Sequence, residues 1–227
     1  MAAPRDPNVI IIRNEYYPDG LKEERVWNYY LKNKNKIIKE AANRPIIIFL
    51  FVSENNSIIL RRTRSNESIT LNKENYEKVI SGRSVSLSVE NIGGYYCIDI
   101  DSKENVKEED KKQAVQDILD IYKKLPEVKK IRVTSSSSGY HVYGYLVKQV
   151  SPDTAINILK KHLEFSLKDK YGIGQRIDSS DKDIVLDFAP MYSRGSHTLP
   201  GSLNRNGTIC LDITKNWKTF DRISAKI

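Results

Sequence analysis

Two hydrophobic rhythms alternate along the chain: short apolar runs, and stretches in which apolar residues recur every three or four positions. They predict strands and helices respectively. Val9 to Arg13 reads as a short strand or its approach, and Tyr16-Tyr17-Pro18-Asp19-Gly20 has the composition of a turn. From Leu21 to about Ala42, Trp27, Tyr30, Leu31, Ile38 and Ala42 recur at helical spacings, and Pro45 bars further helix. Ile46 to Val52 is wholly apolar, Glu54-Asn55-Asn56 is a turn, and Ser57 to Arg62 is a second strand, so a hairpin is expected. Asn72 to Ser81 reads as a short helix and Ser84 to Val89 as a strand. These pieces form an N-terminal αβ layer over about residues 8–90.

The remainder is more regular. Paired glycines at 93 and 94 precede the strand Tyr95 to Ser102. Lys107 to Leu125 carries Val115, Ile118, Leu119 and Tyr122 at helical spacing and is closed by Pro126. Lys130 to Ser135 is a strand, Ser136 to Tyr140 a tight polar link, and His141 to Val147 a further strand. Ser151-Pro152-Asp153 starts a helix whose apolar face runs through Ala155, Ile158, Leu159, His162, Leu163, Ser166 and Leu167. Asp183 to Phe188 is the fourth strand of this part. The order β-α-β-β-α-β is the split βαβ, ferredoxin-like or RRM-like unit, in which the first and third strands are central and the fourth flanks the first. The expected fold is α/β in the α+β sense: one domain, 1–227, with the N-terminal layer packed on a βαββαβ palm over about residues 94–212, the C-terminal segment included.

Composition narrows the class. The 227 residues, 39% hydrophobic and 29% charged, suit a soluble globular protein, and no apolar run approaches membrane-spanning length. The N-terminus lacks the layout of a signal peptide, so an intracellular site, cytoplasm or nucleoid, is expected, with no membrane partner. Cys97 and Cys210 are too few for a four-cysteine zinc site, so free thiols and no zinc are expected. A formal charge of +8 favours a polyanionic partner. Its clearest cluster is Arg61, Arg62 and Arg64, directly after a strand, which suits nucleic acid or equally a solvated face.

Candidate chemistry begins at Asp99 and Asp101. Side chains alternate along a strand, so both share a face with Cys97 while Tyr96, Ile98 and Ile100 pack on the other. Paired carboxylates repel unless a cation neutralises them, and an all-oxygen site suits Mg²⁺ or Mn²⁺. The plainer alternative is a solvated strand end. Asp187 interrupts the apolar run Ile184 to Phe188 without a packing reason. In the split βαβ order its strand lies beside that of Asp99 and Asp101, and His141 opens the antiparallel neighbour. Asp178, Asp181 and Asp183, in a hydrophilic turn, are the fallback for a third ligand.

Several segments together resemble the archaeo-eukaryotic primase superfamily. Within it they are most similar to the polymerase domain of bacterial end-joining ligases and stand-alone primase-polymerases. Tyr17-Pro18-Asp19-Gly20-Leu21-Lys22 with Tyr29-Tyr30 resembles the opening W-P-x-x-G-x-x-K … Y-Y, and Ile98-Asp99-Ile100-Asp101 the D-h-D motif. Thr134 to Tyr143 runs in register with T-S-G-x-K-G-x-H-V-Y, and Val185 to Phe188 resembles the segment bearing the third acid. Leu199 to Gly207 resembles the small primase subunits' L-P-G-S-L-H-G-K-T-G. Ser136 stands where the ligase-type motif has glycine, Ser138 where it often has lysine, Thr198 where small subunits have arginine and Asn204 where they have histidine.

The resemblance implies a metal-dependent nucleotidyltransferase that adds NTPs or dNTPs to a nucleic-acid 3′ end on a DNA template with its primer, in replication or repair and beside other replication or end-joining proteins. Asp99, Asp101 and Asp187 would hold two Mg²⁺ or Mn²⁺ ions. Ser135, Ser136, Ser137, Ser138, Gly139 and His141 would meet the nucleotide, with Ser202 and Arg205 from the C-terminal segment and Arg194 and His197 as weaker candidates; Arg61, Arg62 and Arg64 would meet the template or the triphosphate. Two rival readings remain: a noncatalytic RRM-like module stacking bases on Tyr143 and Tyr145, and another two-metal palm enzyme such as a nucleotide cyclase.

Overall fold

The structure is a computed structural model, and it describes residues 7–53, 56–193 and 195–227. The turn expected at Glu54 and Asn55, the residues before Pro7, and the candidate Arg194 lie outside the described residues. The chain divides into two compact units. One comprises the chain to Glu90 with Thr198–Leu211 and Asp221–Ile227, and the other comprises Asn91–His197 with Asp212–Phe220. Thr198–Leu211, read from sequence with the second part, instead belongs to the first, because Leu199 and Leu203 are buried in that unit's core.

In the first unit, β1 (Ile10–Asn14) and β2 (Tyr17–Lys22) form an antiparallel ribbon, followed by helices α1 (Glu23–Lys32) and α2 (Lys34–Ala41). The segment expected as a turn around Pro18 is therefore a strand. Tyr17 and Leu21 are buried anchors, the ribbon's irregular register accommodates Pro18 and Gly20, and the reversal falls earlier, where Asn14 Oδ1 accepts the N–H groups of Tyr16 and Tyr17. The single helix expected from Leu21 to Ala42 starts two residues later and breaks at Asn33, whose side-chain amide donates to the Tyr29 carbonyl and so competes with the helical ladder.

β3 (Ile46–Ser53) lies between β4 (Asn56–Leu60) and β5 (Ser84–Glu90), antiparallel to both. Of the helix expected over residues 72–81, α3 keeps only Tyr76–Val79, since the Asn72 side chain folds the preceding residues into a turn. The returning C-terminal segment is tied in by Leu199 N–H to the Leu87 carbonyl at 2.8 Å and by the Tyr29 hydroxyl to the Gly201 carbonyl at 2.7 Å.

The second unit holds β6 (Tyr95–Ser102), α4 (Glu108–Tyr122), β7 (Val128–Ser135), β8 (Tyr140–Leu146), α5 (Pro152–Leu167), β9 (Gly172–Ile173) and β10 (Ile184–Asp187). Its sheet order is β7-β8-β6-β10-β9. The first four positions are those of the split βαβ unit, antiparallel throughout. The two-residue β9, absent from the sequence reading, pairs parallel with β10.

α4 and α5 pack on β6, and the rings of Tyr96 and Tyr122 lie 5.9 Å apart. Gly144 permits this, because a Cβ there would meet the Tyr122 ring at 3.1 Å. Ser151 caps α5 by accepting from Thr154 N–H. The buried stripe of α5 is Ala155, Ile156, Leu159, Leu163 and Leu167, so His162 and Ser166, expected on the apolar face, are exposed. No helix among the described residues is long and apolar enough to cross a membrane.

Candidate active site

With the helices on the Tyr96 side, the opposite face of β6 carries Asp99 and Asp101. Register decides what joins them. Asp187 of β10 is paired directly with Asp99 from one side, and His141 of β8 from the other, so all three side chains emerge on one face. Asp101, two residues along β6, is on the same face. His141 is 3% exposed, and its Nε2 lies 3.3 Å from Asp99 Oδ1. The contact is electrostatic rather than an aligned hydrogen bond: Asp99 Oδ1 and His141 Nδ1 are both buried without a hydrogen-bond partner among the described residues. Such groups are costly unless something else satisfies them.

The electrostatics reflect an uncompensated negative patch. Asp101 is pushed up to about 7 by burial and by the carboxylates of Asp99 and Asp187, against the opposing pull of His141. Asp187 is also raised, by burial first and then by Asp99, while the Ala189 N–H that its Oδ1 accepts at 2.7 Å works the other way. Burial pulls His141 down, but the Asp99 and Asp101 carboxylates outweigh it and the imidazole is raised. Asp178, Asp181 and Asp183 are exposed, and Asp183 pairs with Lys103 at 3.1 Å. Asp178 does add to the field that raises Asp101.

Asp99, Asp101 and Asp187 supply the hard oxygen donors that a Mg²⁺ or Mn²⁺ ion takes, and Asp99 Oδ1, beside His141, has no hydrogen-bond partner among the described residues. By donor chemistry the residues fit such an ion. As they stand, no group of three or more His, Cys, Asp or Glu side chains among the described residues is drawn together tightly enough to hold one. Mutual repulsion of like charges opposes that closure.

The Ser135–Gly139 link joins β7 to β8 beside this patch. Ser135 and Ser136 are buried and Ser138 is exposed. Ser136 N–H donates to the Gly139 carbonyl, and Gly139 N–H donates to Ser136 Oγ, both at 3.0 Å. A Cβ on Gly139 would sit 1.9 Å from the Ile100 carbonyl oxygen, so only glycine lets the loop lie against the backbone next to Asp101. Beyond His141 the same face continues in aromatic rings. His197, 4% exposed, lies 5.0 Å from Tyr143 and 5.5 Å from Tyr95, and its ring centroid is 6.5 Å from that of His141. Tyr143 is 2% exposed and so offers no open face for a stacked base.

The remaining expected residues lie in the first unit. Ser202 is fully buried and its hydroxyl donates to the Leu87 carbonyl at 2.9 Å, tying the C-terminal segment to β5. Arg205 is exposed, with its guanidinium 4.2 Å over the Phe49 ring. Arg61, Arg62 and Arg64 are exposed; Arg62 donates to the Asn66 carbonyl, and Arg61 approaches Glu90 at 4.0 Å. The sequence reading passed over Lys111 and Glu108 of α4. Lys111 Nζ donates to the Ser138 carbonyl at 2.9 Å, and Glu108 accepts from the Tyr140 hydroxyl. No pattern in the sequence pairs these helix residues with the loop, because the contact exists only once the chain has folded. A cavity of about 560 Å³ lined by Lys103, Lys107, Asp110, Lys170 and Asp183, among others, contains none of the three aspartates.

By sequence the chain matches no protein-family description and no curated protein. By structure it is similar to the polymerase domain from Mycobacterium tuberculosis Ligase D, solved in complex with DNA, with a TM-score of 0.71 over 94% of this chain and 88% of that one. The two are 14% identical, so what they share is the fold.

Proposed function

We propose that this chain is a nucleotidyltransferase of the primase-polymerase type, adding ribo- or deoxynucleotides to the 3′ end of a primer on a DNA template. The observation that carries the reading is the register of the second unit: Asp187, Asp99 and His141 occupy adjacent strands at one level, on the sheet face away from the helices. A noncatalytic nucleic-acid module has no use for that acidic face, which repels a polyanion. The shared fold with a DNA-bound polymerase domain supports the same reading.

Phosphoryl transfer asks the protein mainly for position and charge. Asp99, Asp101 and Asp187 would hold Mg²⁺ or Mn²⁺, which when bound supplies charge neutralisation at the triphosphate and activation of the attacking 3′ hydroxyl. The chain's own residues do the rest. His141, held at Nε2 by Asp99, presents a buried imidazole beside the loop, placed to donate to a phosphate oxygen. The Ser135–Gly139 link, kept close by the missing Cβ of Gly139, brings backbone and hydroxyl groups to the same phosphates. The exposed arginines Arg61, Arg62, Arg64 and Arg205 are assigned to backbone phosphates of the nucleic acid or to the triphosphate. Work in replication or end joining beside other proteins of those processes belongs to this reading as well.

The test is primer extension on a DNA template, with dNTPs or NTPs and either Mg²⁺ or Mn²⁺, alongside a reaction offered template and nucleotides without primer. Template-directed products that vanish on chelation are expected. A chain that binds DNA but adds nothing under any of these conditions overturns the proposal.

A further inference from the structure

We infer that Lys111 of α4 is a positioning residue for the Ser135–Gly139 loop, and through it for the phosphates of the incoming nucleotide; the inference rests on the polymerase reading above. The loop itself carries no cationic side chain: its residues are four serines and a glycine. A cation reaches it instead from α4, the helix on the far side of the sheet. Lys111 Nζ donates to the Ser138 carbonyl at 2.9 Å, and its side chain is only 12% exposed, whereas lysines usually extend into water.

The hold has two points. Glu108, one turn earlier on α4 and 3.8 Å from Lys111 Nζ, accepts from the hydroxyl of Tyr140, so the same helix turn grips the chain on both sides of Gly139. The peptide between Ser138 and Gly139 is thereby fixed at both of its polar groups, its carbonyl by Lys111 and its N–H by Ser136 Oγ. Gly139 has no room to shift toward β6, where the Ile100 carbonyl already bars a Cβ. A loop so fixed keeps its N–H groups and hydroxyls in one arrangement before any anion arrives, which spares the cost of ordering it on binding.

The experiment compares the whole chain with Lys111→Met, which keeps the stem and removes donor and charge, and with Lys111→Arg, which keeps both. Three quantities are read: binding of a fluorescent dNTP in Mn²⁺, steady-state kinetics on a DNA primer–template, and amide hydrogen exchange over residues 136–140. For Lys111→Met the nucleotide Kd and KM should rise about five- to twentyfold, less than the full worth of a charged hydrogen bond because Lys111 acts on the nucleotide only through the loop. Its kcat should stay within about twofold, primer–template affinity should be unchanged, and the loop should exchange faster. Lys111→Arg should lie near the parent, and Lys111→Gln serves as the charge-removing variant if Lys111→Met fails to fold. Unchanged nucleotide affinity overturns the inference, as does a loss shared equally by kcat and DNA affinity, or one that arginine does not restore. A parent that binds nucleotide without extending primers overturns the polymerase reading while the binding comparison still decides the role of Lys111; a parent that binds no nucleotide overturns both.

Discussion

Asp187 stands directly opposite Asp99 in the antiparallel pairing of β10 with β6. In a sheet, directly opposed residues point to the same side, so the backbone ladder itself brings two carboxylates from distant parts of the chain to one face. Like charges so placed destabilise the pair, and Asp101 beside them has its carboxyl raised to about 7, by burial first and then by the charges of Asp99 and Asp187.

Replacing Asp101 by Asn should separate activity from stability. Nucleotide addition should fall by about a hundred- to a thousandfold, the scale seen when a charge-stabilising group is lost from a reacting centre. The metal-free fold should be as stable as the parent or more so, because a repelling carboxylate has gone. Extension assays and urea unfolding in chelator measure the two; an active variant that unfolds much earlier would make Asp101 a structural residue.

The same group sets a pH dependence. Below about pH 4 Asp101 is protonated folded or unfolded and contributes nothing. Between there and about pH 7 the folded state keeps a proton that the unfolded state has lost, so stability falls as pH rises, and above pH 7 the penalty stays constant. After allowance for partial exposure the loss should be on the order of 1–2 kcal/mol. Urea midpoints of the chelated protein across pH 4–8 should show this decline, and Asp101→Asn should flatten it.

His141→Ala should weaken nucleotide use by about ten- to a hundredfold in kcat/KM, the worth of roughly 1.5–3 kcal/mol for a hydrogen bond to a charged group. DNA affinity, spread over many phosphate contacts, should hardly move. Nucleotide titrations at saturating primer–template check this; an equal fall in DNA affinity would assign the imidazole to the fold alone.

Gly139→Ala should cost about 2–4 kcal/mol of stability, because the new methyl group meets a backbone carbonyl that cannot step aside. Gly94→Ala is the comparison with open space, since only the Gln149 side chain lies within reach there, although its φ of +83° adds backbone strain of its own. Denaturant unfolding of both variants should rank Gly139→Ala as the more damaging.

The sheet of the second unit was legible because alternation and apolar runs report burial directly: β6, β8 and β10 fall where the pattern puts them, and the handed order of a split βαβ unit follows from the succession of elements. Asp187 stood out for the same reason, as a charge inside an apolar run. Elements held by particular side chains were less readable. Pro18 and Gly20 have turn composition, yet the burial of Tyr17 and Leu21 draws them into a strand; Asn33 looks like one more polar residue in a helix, yet it ends one. Ser202 matched a motif, and its hydroxyl is taken by Leu87. Lys111 gave no signal, because its partner is a carbonyl, and a carbonyl is the same at every position of a sequence.

The chain passes between its two units four times, after residues 90, 197, 211 and 220. During synthesis the ribosome releases residues in order, so each unit waits for its last contributor. The core around Leu87 lacks Leu199 and Leu203 until those residues emerge, and Arg132, paired with Asp212 at 2.8 Å, waits longer still. Neither half can finish folding while the other is being made, which exposes nascent apolar strands to chaperones for almost the whole of translation. A premature stop near residue 200 would therefore leave two incomplete halves rather than one sound unit and one missing one.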